Sequence, residues 1–143
     1  MVRIGLVGCV KGKRSGPTPA RDLYTSPLFL GRRRFVERSC DRWFVLSAKH
    51  GLVEPERILV PYDQTLKDAS EAERRRWSQA VLEDLERLLG GLDGLVFEAH
   101  AGNAYLDHGL SAGIQKRGGV VERPTQGLSL GQQLAFYKAA SAR

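Results

Sequence analysis

The sequence contains few cysteines, and this shortage excludes two kinds of small protein. Only Cys9 and Cys40 occur among 143 residues, too few for the disulfide framework that holds small secreted domains together. Neither cysteine belongs to a C-x-x-C pair, a spacing that is typical of structural zinc sites. We therefore expect free thiols, no bound metal ion and no other cofactor.

Long apolar runs are also missing. No segment approaches the roughly 20 apolar residues that a membrane-spanning helix needs. The first ten residues, MVRIGLVGCV, form a strand-like run without the basic, apolar and small-residue zones of a signal peptide. These observations predict a cytoplasmic protein with no membrane partner.

Acidic side chains are outnumbered by basic ones. The chain has 16 Asp and Glu against 22 Lys and Arg, which gives a formal net charge of +6 and a pI near 9.7. A polyanion such as nucleic acid is a natural partner for this charge, because Lys and Arg release the counterions that condense on phosphates. A solvated basic surface explains the same composition equally well.

The remaining composition is that of an ordinary globular domain. Apolar residues make up 42% of the chain and charged residues 27%, with a mean hydropathy of -0.30, which argues against disorder. A chain of this length is expected to form one domain, spanning residues 1–143.

Strand-like and helix-like segments alternate along the chain. Serines at 26, 70 and 129 precede helical patterns, as N-cap residues do, and Asn103 is a fourth candidate cap. The alternation predicts an α/β fold, a three-layer sandwich in which helices cover both faces of a mainly parallel sheet. The predicted strands are Arg3–Cys9, Arg42–Ala48, Ile58–Val60, Gly94–Gly102 and Val120–Glu122.

Four polar segments directly follow predicted strands: CVKGKR, SAKHGLVEPE, HAGNAY and RPTQGLS. In an open parallel sheet the ligand crevice lies beyond the carboxyl ends of the strands. We therefore expect the functional residues in these four segments.

The first segment predicts a basic binding loop. Lys11, Lys13 and Arg14 follow the first strand, without the G-x-x-x-x-G-K-[ST] spacing of a phosphate loop. Cys9 is either a nucleophile or, more commonly for a small residue that ends a buried strand, a packing residue.

The third and fourth segments each allow two interpretations. His100, Asn103 and Tyr105 provide an imidazole, an amide that reads a base edge and a ring that stacks on a base. Asn103 serves equally well as a helix cap and Tyr105 as a packing residue. In the fourth segment, Ser129 either precedes an anion-binding helix N-terminus or simply caps that helix.

The second segment continues into the richest stretch of the chain, LSAKHGLVEPERILVPYDQT. Lys49 and His50 stand at a strand end, and the loop is expected to bring back Glu54, Tyr62 and Asp63. An ammonium, an imidazole and two carboxylates near one cleft can act as anion holder, proton donor and general base.

This stretch resembles the hallmark segment of the YaaA-type proteins, in which a strand and a serine-containing turn precede a glycine-leucine pair, a proline and a Pro-Tyr pair. DLYTSPLF, HAGNAYLDHGL and the final P-x-x-G-L-S-x-G resemble further blocks of small bacterial YaaA-related domains. A more distant similarity is to the core domain of archaeosine synthase. His50 departs from the pattern, because the relatives more often have tyrosine there.

The resemblance implies an architecture similar to uracil-DNA glycosylases and a protein that handles a nucleobase within nucleic acid, with DNA as the expected partner. The positions that match the family pattern are Cys9, Lys11, Lys13, Tyr24, Ser26, Ser47, Lys49, Gly51, Pro61, Tyr62, Asp63, Gly102 and Tyr105.

The leading functional prediction is a DNA glycosylase-like N-glycosidase that excises a modified or damaged base. Tyr62 or Tyr105 would stack on a flipped base, and Asp63 would orient water or stabilise the sugar cation. Lys49 or His50 would stabilise charge on the departing base.

Phosphate contacts in this prediction come from Lys11, Lys13 and Arg14. Two alternatives stay open. One is a non-catalytic DNA-binding protein of the oxidative-stress response, and the other is a hydrolase of free nucleosides or nucleotides.

Overall fold

A five-stranded sheet organises the chain. A computed structural model describes residues 1–9 and 13–142. Seven short or medium strands lie in this part of the chain: β1 Arg3–Gly8, β2 Thr18–Pro19, β3 Arg42–Ser47, β4 Gly51–Val53, β5 Ile58–Leu59, β6 Val96–His100 and β7 Val120–Glu122.

The main sheet has the order β4-β3-β1-β6-β7. β1 pairs with β3 and with β6 in parallel, and β7 is parallel to β6, whereas β4 returns antiparallel to β3. The carboxyl ends of β1, β3 and β6 therefore meet at one edge of the sheet, with Gly8 opposite Leu46 and Val7 opposite His100.

Helices lie on both faces of this sheet. Their bounds are α1 Ala20–Leu23, α2 Pro27–Ser39, α3 Glu71–Leu89, α4 Asn103–Leu106, α5 Leu110–Lys116 and α6 Leu130–Ser141, with a 3-10 turn at Leu66–Asp68. Ser26, Ser70 and Ser129 cap α2, α3 and α6, because each hydroxyl accepts a backbone N–H three residues later. The three serine caps are confirmed.

Two apolar clusters fill the space between sheet and helices. One face of the sheet packs Leu6, Phe44 and Phe97 against α3 to α5. The opposite face packs Val7 and Val45 against α1 and α2, and α6 lies against α2. The α/β class, the mostly parallel sheet and its cover of helices on both faces are as predicted, consistent with a three-layer sandwich.

One strand prediction needs correction, and one strand was missed. The segment predicted as Ile58–Val60 forms β5, but it pairs with β2 in a separate two-stranded sheet rather than with the main sheet. β4 was not predicted. Gly51 begins it at φ 72, a left-handed conformation that glycine adopts without strain and that reverses the chain after β3.

The helix predicted to be capped by Asn103 also differs. Gly102 occupies the N-cap position, Asn103 is the first helical residue, and no side chain caps this turn. Gly109, at φ 120, separates α4 from α5. In α6, Leu130 is 59% exposed, whereas Tyr137 is buried. Among the described residues, no helix is long and apolar enough to cross a membrane.

Candidate functional site

The end of β3 carries a chain of hydroxyl groups. Ser47, its last residue, is fully buried. Its Oγ donates to the Tyr62 hydroxyl at 2.8 Å and accepts the backbone N–H of His50 at 3.1 Å. The Tyr62 hydroxyl also hydrogen-bonds the hydroxyl of buried Tyr24. Ser47 therefore ties the turn after β3 to the segment that returns 15 residues later.

Lys13 places a positive charge over the rings of Tyr24 and Tyr62. Its Nζ lies 4.9 Å from the ring centroid of Tyr62 and 5.7 Å from that of Tyr24, within the range of a cation–π interaction. The backbone is held there because Lys13 forms a bridge with Tyr24 and the N–H of Arg14 donates to Leu23. The structure therefore joins the basic loop to the tyrosines.

Cys9 approaches the same region from β1. Its backbone N–H donates to the carbonyl of Leu46, and its Sγ lies 3.4 Å from the hydroxyl of Tyr105. The Tyr105 ring meets Trp77 edge-on at 5.4 Å, and the Trp77 indole N–H donates to the carbonyl of Ser47 at 2.8 Å. The ends of β1 and β3 are thus linked through aromatic side chains.

The residues linked by these contacts are named the strand-end cluster, and one side of the cluster is open to solvent. Tyr24, Ser47 and Tyr105 are buried, whereas the other members are half-buried and reach solvent. Its members are Cys9, Lys13, Tyr24, Ser47, His50, Tyr62, Trp77 and Tyr105.

The three tyrosines of the cluster keep their protons. Burial, followed by the electrostatic influence of nearby Cys9, raises the pKa of Tyr24, Tyr62 and Tyr105. At neutral pH they are therefore neutral hydroxyl groups, able to donate or accept hydrogen bonds but unsuited to act as bases.

His50 is neutral at physiological pH. Its ring stands perpendicular to that of Tyr62, with centroids 5.5 Å apart. Burial, and then the positive charges of Arg57 and Lys49, lower the pKa of the imidazole. A neutral imidazole offers one N–H donor and one acceptor nitrogen.

Two residues predicted to be catalytic lie at the surface. The side chains of Lys49 and Asp63 are exposed and make no hydrogen bond or ion pair with any residue that the structure describes. Each directly neighbours a cluster residue in the chain, Lys49 before His50 and Asp63 after Tyr62. Neither side chain forms a hydrogen bond or an ion pair with a residue of the cluster.

The other basic residues of the first loop are placed differently. Arg14 points away from the cluster, because its Nε donates to the carbonyl of Asp22 on α1. Lys11 lies outside the described residues.

His100 belongs to a separate buried network on the α2 and α6 face. Its ring nitrogens contact Tyr137 Oη at 2.6 Å and Glu98 Oε1 at 3.0 Å, and the side chain is fully buried. Burial lowers the pKa of His100, opposed by its bond to Glu98. Although burial opposes it, hydrogen bonds from His100, Arg3 and Ser39 lower the pKa of Glu98 to about 2.

Asn103 is exposed in the segment that follows β6. Its amide oxygen accepts from Arg123 at 3.0 Å. The structure thus brings together seven of the predicted residues, and it adds Trp77 of α3, which was not predicted to belong to a site. Across residues 1–9 and 13–142, no group of three or more His, Cys, Asp or Glu side chains is arranged to hold a metal ion.

Comparison with known proteins shows the family of this chain. A family model described as a family of unknown function, DUF6884, matches residues 4–139, so the chain belongs to that family. The uncharacterized protein YfjM of Bacillus subtilis (strain 168) is 33% identical over 107 residues, which cover 64% of this chain and 71% of that protein. No solved structure matches. The similarity to YaaA-type proteins stays a prediction.

Proposed function

Because its family has no assigned function, we propose one from the site: the protein is a nucleobase-processing N-glycosidase that acts on DNA, with a uracil-DNA-glycosylase-like architecture. The observation that carries this proposal is the strand-end cluster, where a lysine ammonium, a neutral imidazole and half-buried aromatic rings meet at the carboxyl ends of β1 and β3. The resemblance to YaaA-type proteins supports a nucleobase as the ligand.

The half-buried aromatic rings supply the base-binding surface. Every base has a π face, and stacking on aromatic side chains contributes about 1–3 kcal/mol per base. Tyr62 and Trp77 are anchored by hydrogen bonds to Ser47, through its hydroxyl and its carbonyl. Rings held in this way bind a flipped base with little loss of side-chain entropy.

His50 and the neighbouring lysines would stabilise the departing base. When the bond between the sugar C1′ and the base nitrogen breaks, the electron pair stays on the base, which becomes negatively charged. A neutral imidazole N–H and the ammonium groups of Lys13 and Lys49 can stabilise that charge. Lys13 is already held beside Tyr62, and His50 is neutral because its pKa is lowered.

Asp63 would act on the sugar side. Its carboxylate stabilises the developing cation at C1′ or orients the water that adds there, and the proton of that water passes to solvent or to the base. The side chain is free to turn toward a bound nucleotide, because it is exposed and unpaired among the described residues.

A base-release assay tests this proposal. Purified protein is incubated with oligonucleotides that carry single modified bases, and abasic sites are detected by alkaline cleavage. Asp63→Asn is expected to slow release at least about 100-fold, the usual scale for general acid–base catalysis. Asp93→Asn, an exposed carboxylate at the opposite edge of the sheet, is the matched control. Full activity of Asp63→Asn, or no release by the wild type, would overturn the assignment.

DNA binding without catalysis is the second candidate. It is favoured by the net charge of +6 and by the exposed position of Asp63, which has no partner among the described residues. It predicts a steep loss of DNA affinity with salt and no dependence on cluster chemistry. Measuring affinity against salt for the wild type and Asp63→Asn separates the two. Removing a carboxylate strengthens simple binding slightly and leaves its salt dependence unchanged.

A further inference from the structure

A cleft lies at the same edge of the sheet as the strand-end cluster, beside β6. It has a volume of about 530 Å³ and lies between the turn after β6, which includes Gly102, and the loop that leads into α6. Arg32, Arg123, Ser129 and Gln133 contribute to its wall. The sequence left an anion site at the amino end of α6 open, beside Ser129, and Arg123 lies in the same segment. Arg32 and Gln133 were not predicted to bind a ligand.

Arg32 is an unusual lining residue, because it is charged and only 4% exposed. Its Nη1 donates to the carbonyl of Gly8 and its Nη2 to Gln133 Oε1, both at 3.3 Å. Its Nε is buried without a hydrogen-bond partner in the described part of the chain. No carboxylate within residues 1–9 and 13–142 forms an ion pair with it.

A buried guanidinium with only neutral partners is costly. Arginine stays protonated in proteins, and a buried charge that lacks a counter-charge destabilises the folded state. Burial lowers the pKa of Arg32, opposed by the nearby Tyr137 hydroxyl. An anion in the cleft would supply the counter-charge that no described residue provides.

The amino end of α6 also lines the cleft, and it favours an anion there as Arg32 does. α6 has 12 residues and no acidic side chain in its first turn, so its partial positive charge is not neutralised by its own sequence. Ser129 and Gln132, which form its capping box, both line the cleft. Backbone N–H groups at a helix N-terminus bind phosphate readily.

Arg123 provides a further cation beside the helix. Its guanidinium is held by Asp107 at 2.6 Å and by Asn103 at 3.0 Å. Only 14% of the side chain is exposed. Its position is therefore fixed before any ligand arrives, which lowers the entropic cost of binding.

We propose that this cleft is a phosphate-binding site in which Arg32 and the amino end of α6 hold the anion. A phosphate offers several acceptor oxygens to the fork-shaped guanidinium. This phosphate site is proposed whatever reaction takes place at the strand-end cluster. The phosphate belongs either to the free ion or to a nucleotide, and these two sources are separated by the ligands used below.

Isothermal titration calorimetry with sodium phosphate at constant ionic strength tests the site. The wild type is compared with Arg32→Met, Gln132→Glu and Arg34→Met, each of which lowers the net charge by one. Arg34 lies on the same helix as Arg32 but is exposed, so Arg34→Met is the matched control. Binding is expected to weaken at least about tenfold in Arg32→Met and in Gln132→Glu, and to be unchanged in the control.

Gln132→Glu keeps the test valid if Arg32→Met folds poorly. Glutamate is a regular capping-box residue, so this variant keeps the cap of α6 while it adds a negative charge to the cleft. Equal binding by all four proteins, or no binding by the wild type, would overturn the proposal.

Deoxyadenosine monophosphate and deoxyadenosine are titrated in parallel to identify the source of the phosphate. Tighter binding of the monophosphate than of inorganic phosphate, lost in Arg32→Met, identifies a nucleotide as the ligand. Equal affinities identify the free ion. If deoxyadenosine binds as tightly as its monophosphate, and Arg32→Met does not change that affinity, the cleft is not a phosphate site.

Discussion

Removing the Tyr62 hydroxyl tests whether the hydroxyl chain of the strand-end cluster stabilises the fold. Tyr62→Phe keeps the ring but deletes the bond from Ser47 at 2.8 Å and the bond with Tyr24. Ser47 and Tyr24 are 0% and 1% exposed, so neither gains water in exchange. With about 1 kcal/mol for each lost bond, we expect the free energy of unfolding to fall by about 2 kcal/mol.

A double-mutant cycle gives this prediction its sharpest form. Tyr24→Phe alone loses one hydrogen bond, which costs about 1 kcal/mol. The double variant loses the same two bonds as Tyr62→Phe and should therefore cost about 2 kcal/mol, like Tyr62→Phe alone. The coupling between Tyr24 and Tyr62 is then about 1 kcal/mol. Urea unfolding followed by far-ultraviolet circular dichroism measures each free energy. Strictly additive losses, or a loss below about 0.5 kcal/mol for Tyr62→Phe, would refute this reasoning.

Two further predictions concern stability elsewhere in the fold. The pKa of Glu98 is about 2, below its ordinary 4.5, so its stabilisation is complete above pH 4.5 and is lost as the pH falls toward 2. Glu98→Gln should flatten that part of a plot of melting temperature against pH. A Cβ on Gly5 would lie 2.7 Å from Val36 Cβ, whereas one on Gly16 meets nothing within 4 Å. Urea unfolding should show Gly5→Ala destabilised by about 1–3 kcal/mol and Gly16→Ala nearly unchanged.

The elements that were predictable are those whose signals are local. β1, β3 and β6 are apolar runs, and helical patterns separate them along the chain. Apolar runs and their alternation with helices are both visible in the sequence, and together they predict a parallel sheet. The serine caps of α2, α3 and α6 depend only on residues three positions apart. β4 was not predicted because it has only three residues, too few to show a strand pattern. It is a strand because it pairs with Leu46 and the neighbouring residues of β3.

The parts of the sites that were not predictable depend on tertiary contacts. Trp77 has the spacing of a helix-packing residue, and nothing local shows that its indole N–H reaches the carbonyl of Ser47. Arg32 stands in a run of three arginines that is typical of a solvated surface, yet it alone of the three is buried. Whether a cation is exposed is decided by what packs on its helix, here α6.

Proximity in the second segment was also only partly predictable. His50 and Tyr62 come together because Ser47 binds both the N–H of one and the hydroxyl of the other. Lys49 and Asp63, their chain neighbours, are exposed instead. Lys49 and His50 lie in the turn after β3 and not on a strand, so no alternation along the sequence predicts which of the two side chains faces the cluster.

The most direct test of the central claim is detection of free base by mass spectrometry after DNA rich in modified bases is incubated with the purified protein. The account predicts that the wild type and Asp93→Asn release the same base and leave abasic sites, and that Asp63→Asn releases it at least about 100-fold more slowly. Intact DNA after prolonged incubation with the wild type, or equal release by Asp63→Asn, would contradict the account.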